Sequence, residues 1–204
     1  SDHIAGLQQL LKRFDIPVYT KQGTWREIQD KLIVPKNRLI ELTKGSLTLG
    51  SLIVEPFSVS HDAADPIGIN VFAGNDKATI VTDTGVISDD ILRRIDDTTL
   101  LVLEANYDPH MLRFGPYQPF LKQRVASDEG HLSNEMAAQA LLMMKRPDFM
   151  QVILAHRSEN NNNSVLVTQT IGKMLVDGGV RIGPEMKLQH GQPNEIVSIQ
   201  SVKR

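Results

Sequence analysis

Four apolar runs in the chain each give way to a residue that can hold a metal ion or move a proton. SLIVEPFSVS runs into His61, KATIVT into Asp83, TLLVL into Glu104 and QVILA into His156. A buried strand hands its terminal side chain to the edge of a sheet, where several strands can focus on one point. One histidine at a strand end is ordinary, but four such residues, joined by Asp2-His3 at the head of the chain, form a set. Imidazole and carboxylate in this mixture suit zinc, manganese or iron and are too rich in nitrogen for calcium.

His131 has a different setting. It follows Gly130 in SDEGHLSNEMAAQAL and precedes an amphipathic helix, for which Ser133 or Asn134 is the expected N-cap. Spacing alone leaves two readings level: a loop residue bonded to the helix start, or a proton donor or phosphate contact at the positive helix end. His110, in DPHMLRF, and His190, after a short strand, read as structural or solvated. Trp25 and the LLMM stripe at 141–144 read as core. The Asp2-His3 pair also has a plain reading, a helix cap with His3 in solvent, because Ile4, Leu7, Leu10, Leu11 and Phe14 recur at helical spacing directly after it.

The elements that must position these residues change character along the chain. DIPVYT reads as a strand and TWREIQDKL as a second helix. RLIELT, SLTLGSLIVEPFSVS, IGINVFAG and KATIVTD follow as strands, the last two joined by a turn at Gly74-Asn75-Asp76. From residue 88 strands and helices alternate: SDDILRRI, PYQPFLKQRVA, SNEMAAQALLMM and SVLVTQTIGKMLVDGG as helices, TLLVLEA, FMQVILAH, MKLQH and EIVSIQ as strands. Gly178-Gly179 marks a helix stop and Asn160–Asn163 a loop or cap. Strands first, then alternation, predicts an α/β layered sandwich with helices outside the sheets.

The 204 residues are read as one domain, 1–204, with a net charge of −2 and no cysteine. Disulfides and thiolate catalysis are thereby excluded, and a reducing, cytoplasmic setting is consistent with that. No run approaches a membrane span, so no membrane partner is expected. No global basic field announces nucleic acid, so any phosphate binding must be local.

Taken in order, these motifs resemble the metallo-β-lactamase-fold hydrolases, and most closely their bacterial WalJ/YycJ-type subfamily, related to ribonuclease Z. SDHIAG resembles the back half of the superfamily's His-x-His-x-Asp-His motif. EPFSVSHDAADPIG, IVTDTG, LEANYD, SDEGHLSNEMAA and LAHRSENNN resemble, in turn, its middle His, bridging Asp, Glu-Ser-Asn-His-Asp, GHLSN and final His segments. The resemblance implies the αββα four-layer sandwich and two divalent ions, zinc or manganese with iron as an option. It implies Asp2 and His3 at the second metal, His61 at the first, Asp83 bridging and His156 at the second. Asp2 is also carried over as catalytic, His131 as the proton donor to the leaving group, and Glu104 as its orienting partner. The reaction implied is phosphodiester hydrolysis, 5′-to-3′ exonuclease action on double-stranded DNA, with Arg113, Lys122, Arg124 and Arg157 as candidate backbone contacts.

Two departures from the pattern stand out. Tyr107 occupies a position where the subfamily commonly has His, and the two leading histidines of the first motif are missing. The chain is therefore expected to be the remainder of a longer protein, lacking its first strands, to hold at most one ion weakly, and to be inactive alone. A small-molecule ester, thioester, lactone or cyclic phosphodiester hydrolase and a non-catalytic regulatory domain are the competing functions. Oligomeric state, a dimer included, is left open.

Overall fold

The computed structural model describes residues 2–43, 45–193 and 195–199; for Asp2 the backbone alone is described. The chain forms two compact units, residues 1–45 with 63–66, and residues 46–62 with 67–204.

In the first unit a 3₁₀ turn at Asp2–Ile4 leads into α1 (Leu7–Arg13), β1 (Val18–Thr20), α2 (Gln22–Ile28) and β2 (Leu39–Glu41). β1 and β2 pair in parallel with Val18 opposite Leu39. The apolar face expected on the first helix is buried only at Leu11; Leu10 and Phe14 are exposed. The Arg38 guanidinium donates to the carbonyls of Leu11 and Phe14, supplying donors that the end of a short helix lacks.

The second unit contains β3 (Leu47–Leu49), β4 (Leu52–Ser58), β5 (Ile67–Ala73), β6 (Asp76–Val81), α3 (Asp89–Ile95), β7 (Leu100–Glu104), α4 (Pro109–Phe114), α5 (Pro119–Val125), α6 (Asn134–Met143), β8 (Met150–Ala155), α7 (Ser164–Asp177) and β9 (Met186–His190). Its strands form one seven-stranded mixed sheet in the order β3-β4-β5-β6-β7-β8-β9. The apolar stretch expected as a single strand over 46–60 is instead split into the antiparallel pair β3–β4, because Gly50 takes φ +61° and turns the chain. The β5–β6 hairpin closes at Ala73 opposite Asp76, with Gly74 at φ +60°, as the turn residues predict.

β6, β7, β8 and β9 are parallel, and β4 runs the same way because two antiparallel pairings separate it from β6. Their C-terminal ends therefore meet along one edge, the place where open α/β sheets gather chemistry. Val81, Leu101, Leu103, Val152, Leu154 and Met186 pack on one sheet face against Ile91 and Ile95 of α3, Ala137 and Leu141 of α6, and Ile171 of α7. This core fixes the helix layer on that face and so the strand ends. Trp25 is half-buried, and Met143 of the LLMM stripe is 68% exposed, so that stripe is core only in part. The strand expected at EIVSIQ does not form over the described residues 195–199: Ile196 is 96% exposed and has no apolar burial to offset the cost of ordering. Among the described residues no helix is long and apolar enough to cross a membrane.

Candidate metal centre

The aligned strand ends bring together the side chains singled out in the second unit. One ligand atom each from Asp83, Glu104, His131 and His156 falls within a common span of 4.8 Å. His61 borders them, its Nε2 3.5 Å from Asp83 Oδ1, while His156 Nε2 lies 3.7 Å from the same oxygen. The rings of His61 and His131 are 5.1 Å apart, and those of His131 and His156 5.3 Å.

Glu104, the last residue of β7, is fully buried and organises the group. Its Oε1 accepts from Nδ1 of His131 at 2.8 Å and of His156 at 2.7 Å. Its Oε2 accepts from the backbone N–H of Thr84 and Leu132, each at 3.2 Å. Burial alone would raise this carboxyl, but the hydrogen bonds from the two imidazoles outweigh it and hold the group below its ordinary range. With both Glu104 oxygens engaged in this way, Nε2 of each histidine becomes the metal-facing nitrogen. His61 is fixed by the same logic, since its Nδ1 lies 3.0 Å from the Gly130 carbonyl and can only donate there. Three imidazoles with their Nδ1 positions occupied, facing a carboxylate, fit a divalent transition-metal ion.

Local sequence explains the loops. Ser133, two residues after His131, caps α6 by accepting from Met136 N–H, so that the helix starts at Asn134. Gly130 has no room for a side chain: an added Cβ would lie 2.3 Å from the carbonyl oxygens of Arg124 and Val125. Asn163 caps α7, and Asn162 forms a reciprocal amide pair with Asn134, so the asparagine run serves as cap and buried tether.

Asp62, which the sequence reading passed over, sits at the rim. Its Oδ1 is 3.5 Å from His61 Nε2, and Arg124 clamps both its oxygens, holding its carboxyl below the usual range. The signal available was its place directly after His61. Tyr107 is buried with Leu112 and Val125, and burial, then Glu135 and Glu104, push its phenol up. His110 is exposed against Phe114, and His190 is bonded to Thr168, both as structural readings imply. His3 is exposed in the first unit; the side chain of Asp2 lies outside the described residues.

A mixed α/β sheet with a histidine–carboxylate cluster at the ends of its parallel strands describes a metal-dependent hydrolase. The model of the beta-lactamase superfamily domain matches residues 1–156. The chain is 34% identical over 204 residues to exodeoxyribonuclease YycJ of Bacillus anthracis, covering 99% of this chain and 77% of that one. It is 31% identical over 199 residues to exodeoxyribonuclease WalJ of Streptococcus pneumoniae, covering 95% and 74%. In structure it is similar to the metallo-β-lactamase fold protein YhfI of Bacillus subtilis, with a TM-score of 0.65 at 14% identity, over 94% of this chain and 70% of that one. The chain belongs to the metallo-β-lactamase superfamily, and its fold is that of metal-dependent hydrolases.

Proposed function

We propose that the protein is an exodeoxyribonuclease that cleaves phosphodiester bonds of DNA, working in the 5′-to-3′ direction in the cytoplasm. The observation that carries this reading is the cluster of Asp83, His131 and His156 around buried Glu104, with His61 beside it. The names of the YycJ and WalJ relatives support the choice of substrate.

In this reading His61, Asp83 and His156 hold divalent ions, zinc or manganese, while Asp2 and His3 keep only the ligand roles that the family resemblance implies. When bound, such ions activate water and neutralise charge developing on phosphoryl oxygens. The protein's own residues do the rest. Glu104 fixes His131 with Nδ1 protonated and Nε2 facing the cluster. In its cationic form His131 then carries a proton on Nε2 as well, which it gives to the departing oxygen as the P–O bond breaks. Asp62 and Arg124 hold the His61 loop against α5.

The test is hydrolysis of end-labelled duplex DNA by the whole protein with added manganese or zinc, run beside a panel of thioester, lactone and cyclic phosphodiester substrates. Release of nucleotides from the 5′ end, abolished by Asp83→Ala, is the expected result. Turnover of a panel compound with no action on DNA would overturn the nuclease reading.

A further inference from the structure

We propose that the α4–α5 segment, residues 109–126, is a platform that takes the unpaired nucleotides of a nucleic-acid end, with Phe114 and Phe120 stacking on the bases. The proposal rests on the nuclease reading and names the part of the substrate that this surface recognises.

The two short helices have an inner and an outer side. Leu112 and Val125 pack inward on Tyr107, with Leu121 and Tyr117 against them. Phe114 and Phe120, two of the chain's six phenylalanines, are left 67% and 72% exposed. A single exposed apolar residue is unremarkable, but two aromatic rings on one basic segment are a different matter. Between Pro109 and Ala126 there is no Asp or Glu, while His110, Arg113, Lys122 and Arg124 all occur there, in a chain of net charge −2. Arg113 lies over the Phe114 ring at 5.3 Å, and His110 meets the same ring at 4.6 Å. Lys122 Nζ donates to the Arg113 carbonyl at 2.8 Å. Among the described residues neither Arg113 nor Lys122 has a carboxylate partner.

Both ends of the segment are tied to the candidate metal centre. α4 starts at the Asp108 cap, four residues past Glu104. At the other end the Val125 carbonyl accepts from His131 N–H at 2.9 Å, and Arg124 grips Asp62 beside His61. The surface therefore presents exposed π-faces and unneutralised cations in the immediate chain neighbourhood of the cluster. That combination matches a polyanion carrying free aromatic faces, which is a nucleic acid with unpaired bases. In a blunt duplex the base faces are already stacked on one another. An acidic peptide offers the charge without the rings.

The experiment compares the 204-residue chain with the Phe114→Ala/Phe120→Ala double variant. Chelator is present throughout, so that binding is read without turnover. Fluorescence anisotropy is measured with a single strand, a duplex with a short overhang and a blunt duplex, and 2-aminopurine at the unpaired terminus reports stacking. Each lost stacking contact is expected to weaken binding of the single strand and the overhang by about 5- to 100-fold. The 2-aminopurine response should vanish, Phe114→Trp/Phe120→Trp should keep it, and the thermal midpoint should hold. Unchanged affinity, or an equal loss on the blunt duplex, would overturn the proposal. So would a dimer that the substitutions convert to monomer while oligonucleotide binding persists, since the face would then be a self-interface. Failure of the whole protein, loaded with metal, to hydrolyse any phosphodiester, with stacking intact, would remove the nuclease reading and leave the platform standing.

Discussion

Glu104→Gln separates the orienting role of the buried carboxylate from its bulk. In the wild-type protein all four groups around Glu104 are donors: two backbone N–H groups at Oε2 and two imidazole N–H groups at Oε1. Glutamine offers one oxygen and one NH₂. The backbone donors of Thr84 and Leu132 cannot reverse, so the amide oxygen must face them. The NH₂ is then left pointing at Nδ1 of His131 and His156. Each imidazole can satisfy it only by moving its proton to Nε2, which at His156 removes the lone pair needed to bind a metal. The fold should therefore survive with a loss on the order of 1 kcal/mol, one hydrogen bond's net worth. Metal affinity should fall by about 10- to 100-fold, the usual effect of losing the group behind a ligating histidine. Glu104→Ala should behave differently, stranding two buried backbone donors at roughly 1–3 kcal/mol each. Competition against a chromophoric chelator gives the affinity, and imidazole ¹⁵N shifts give the tautomer. If Glu104→Gln binds zinc as tightly as wild type, or keeps both histidines protonated at Nδ1, the orienting role is refuted.

His61→Ala is expected to lose bound metal by elemental analysis, whereas His131→Ala should retain it and, in an active preparation, reduce turnover by ~10²–10⁴-fold. Equal metal loss in the two variants would make His131 a ligand. Gly130→Ala should destabilise the protein by about 1–3 kcal/mol in denaturant titration, because its Cβ would press on two backbone carbonyls that have little freedom to retreat. Burial is the main cause that lowers the Lys77 amine below its ordinary value of 10.5, so the unfolded chain binds more protons between the folded value and 10.5. Stability should rise with pH across that window, and Lys77→Met should flatten the rise.

The cluster was legible because a strand end is a local fact. Apolar runs stopping at Asp83, Glu104 and His156 need only period-two burial to be placed at a sheet edge, and Ser133 announces a helix start by its own chemistry. Gly74-Asn75 did the same for the hairpin. Partnerships across the chain were not legible. Asp62 matters through Arg124, 62 residues away, and that contact depends on where α5 packs. Nothing near Glu104 in sequence says that its one oxygen serves two histidines, 27 and 52 residues further on. EIVSIQ misled because a β-rich pattern does not form a strand without a core-facing side, and Ile196 has none.

Both Asp83 and His156 take positive φ, at 55° and 53°, a conformation that costs a non-glycine residue on the order of 1–3 kcal/mol. For His156 the restraint comes from one neighbouring strand. Asn106 Nδ2 holds its carbonyl at 2.7 Å, and Glu104 holds its ring. The stretch running on from β7 is then zipped on both sides. Ala105 N–H bonds the Ala155 carbonyl, and Ser158 N–H bonds that of Asn106. On the opposite side Asn106 N–H reaches Leu132, and Asn134 N–H reaches Tyr107. The His131 and His156 loops do not have to find each other, because each is laced to residues 104–107. Precision at the cluster is thus set by a segment that contributes none of the proposed metal ligands.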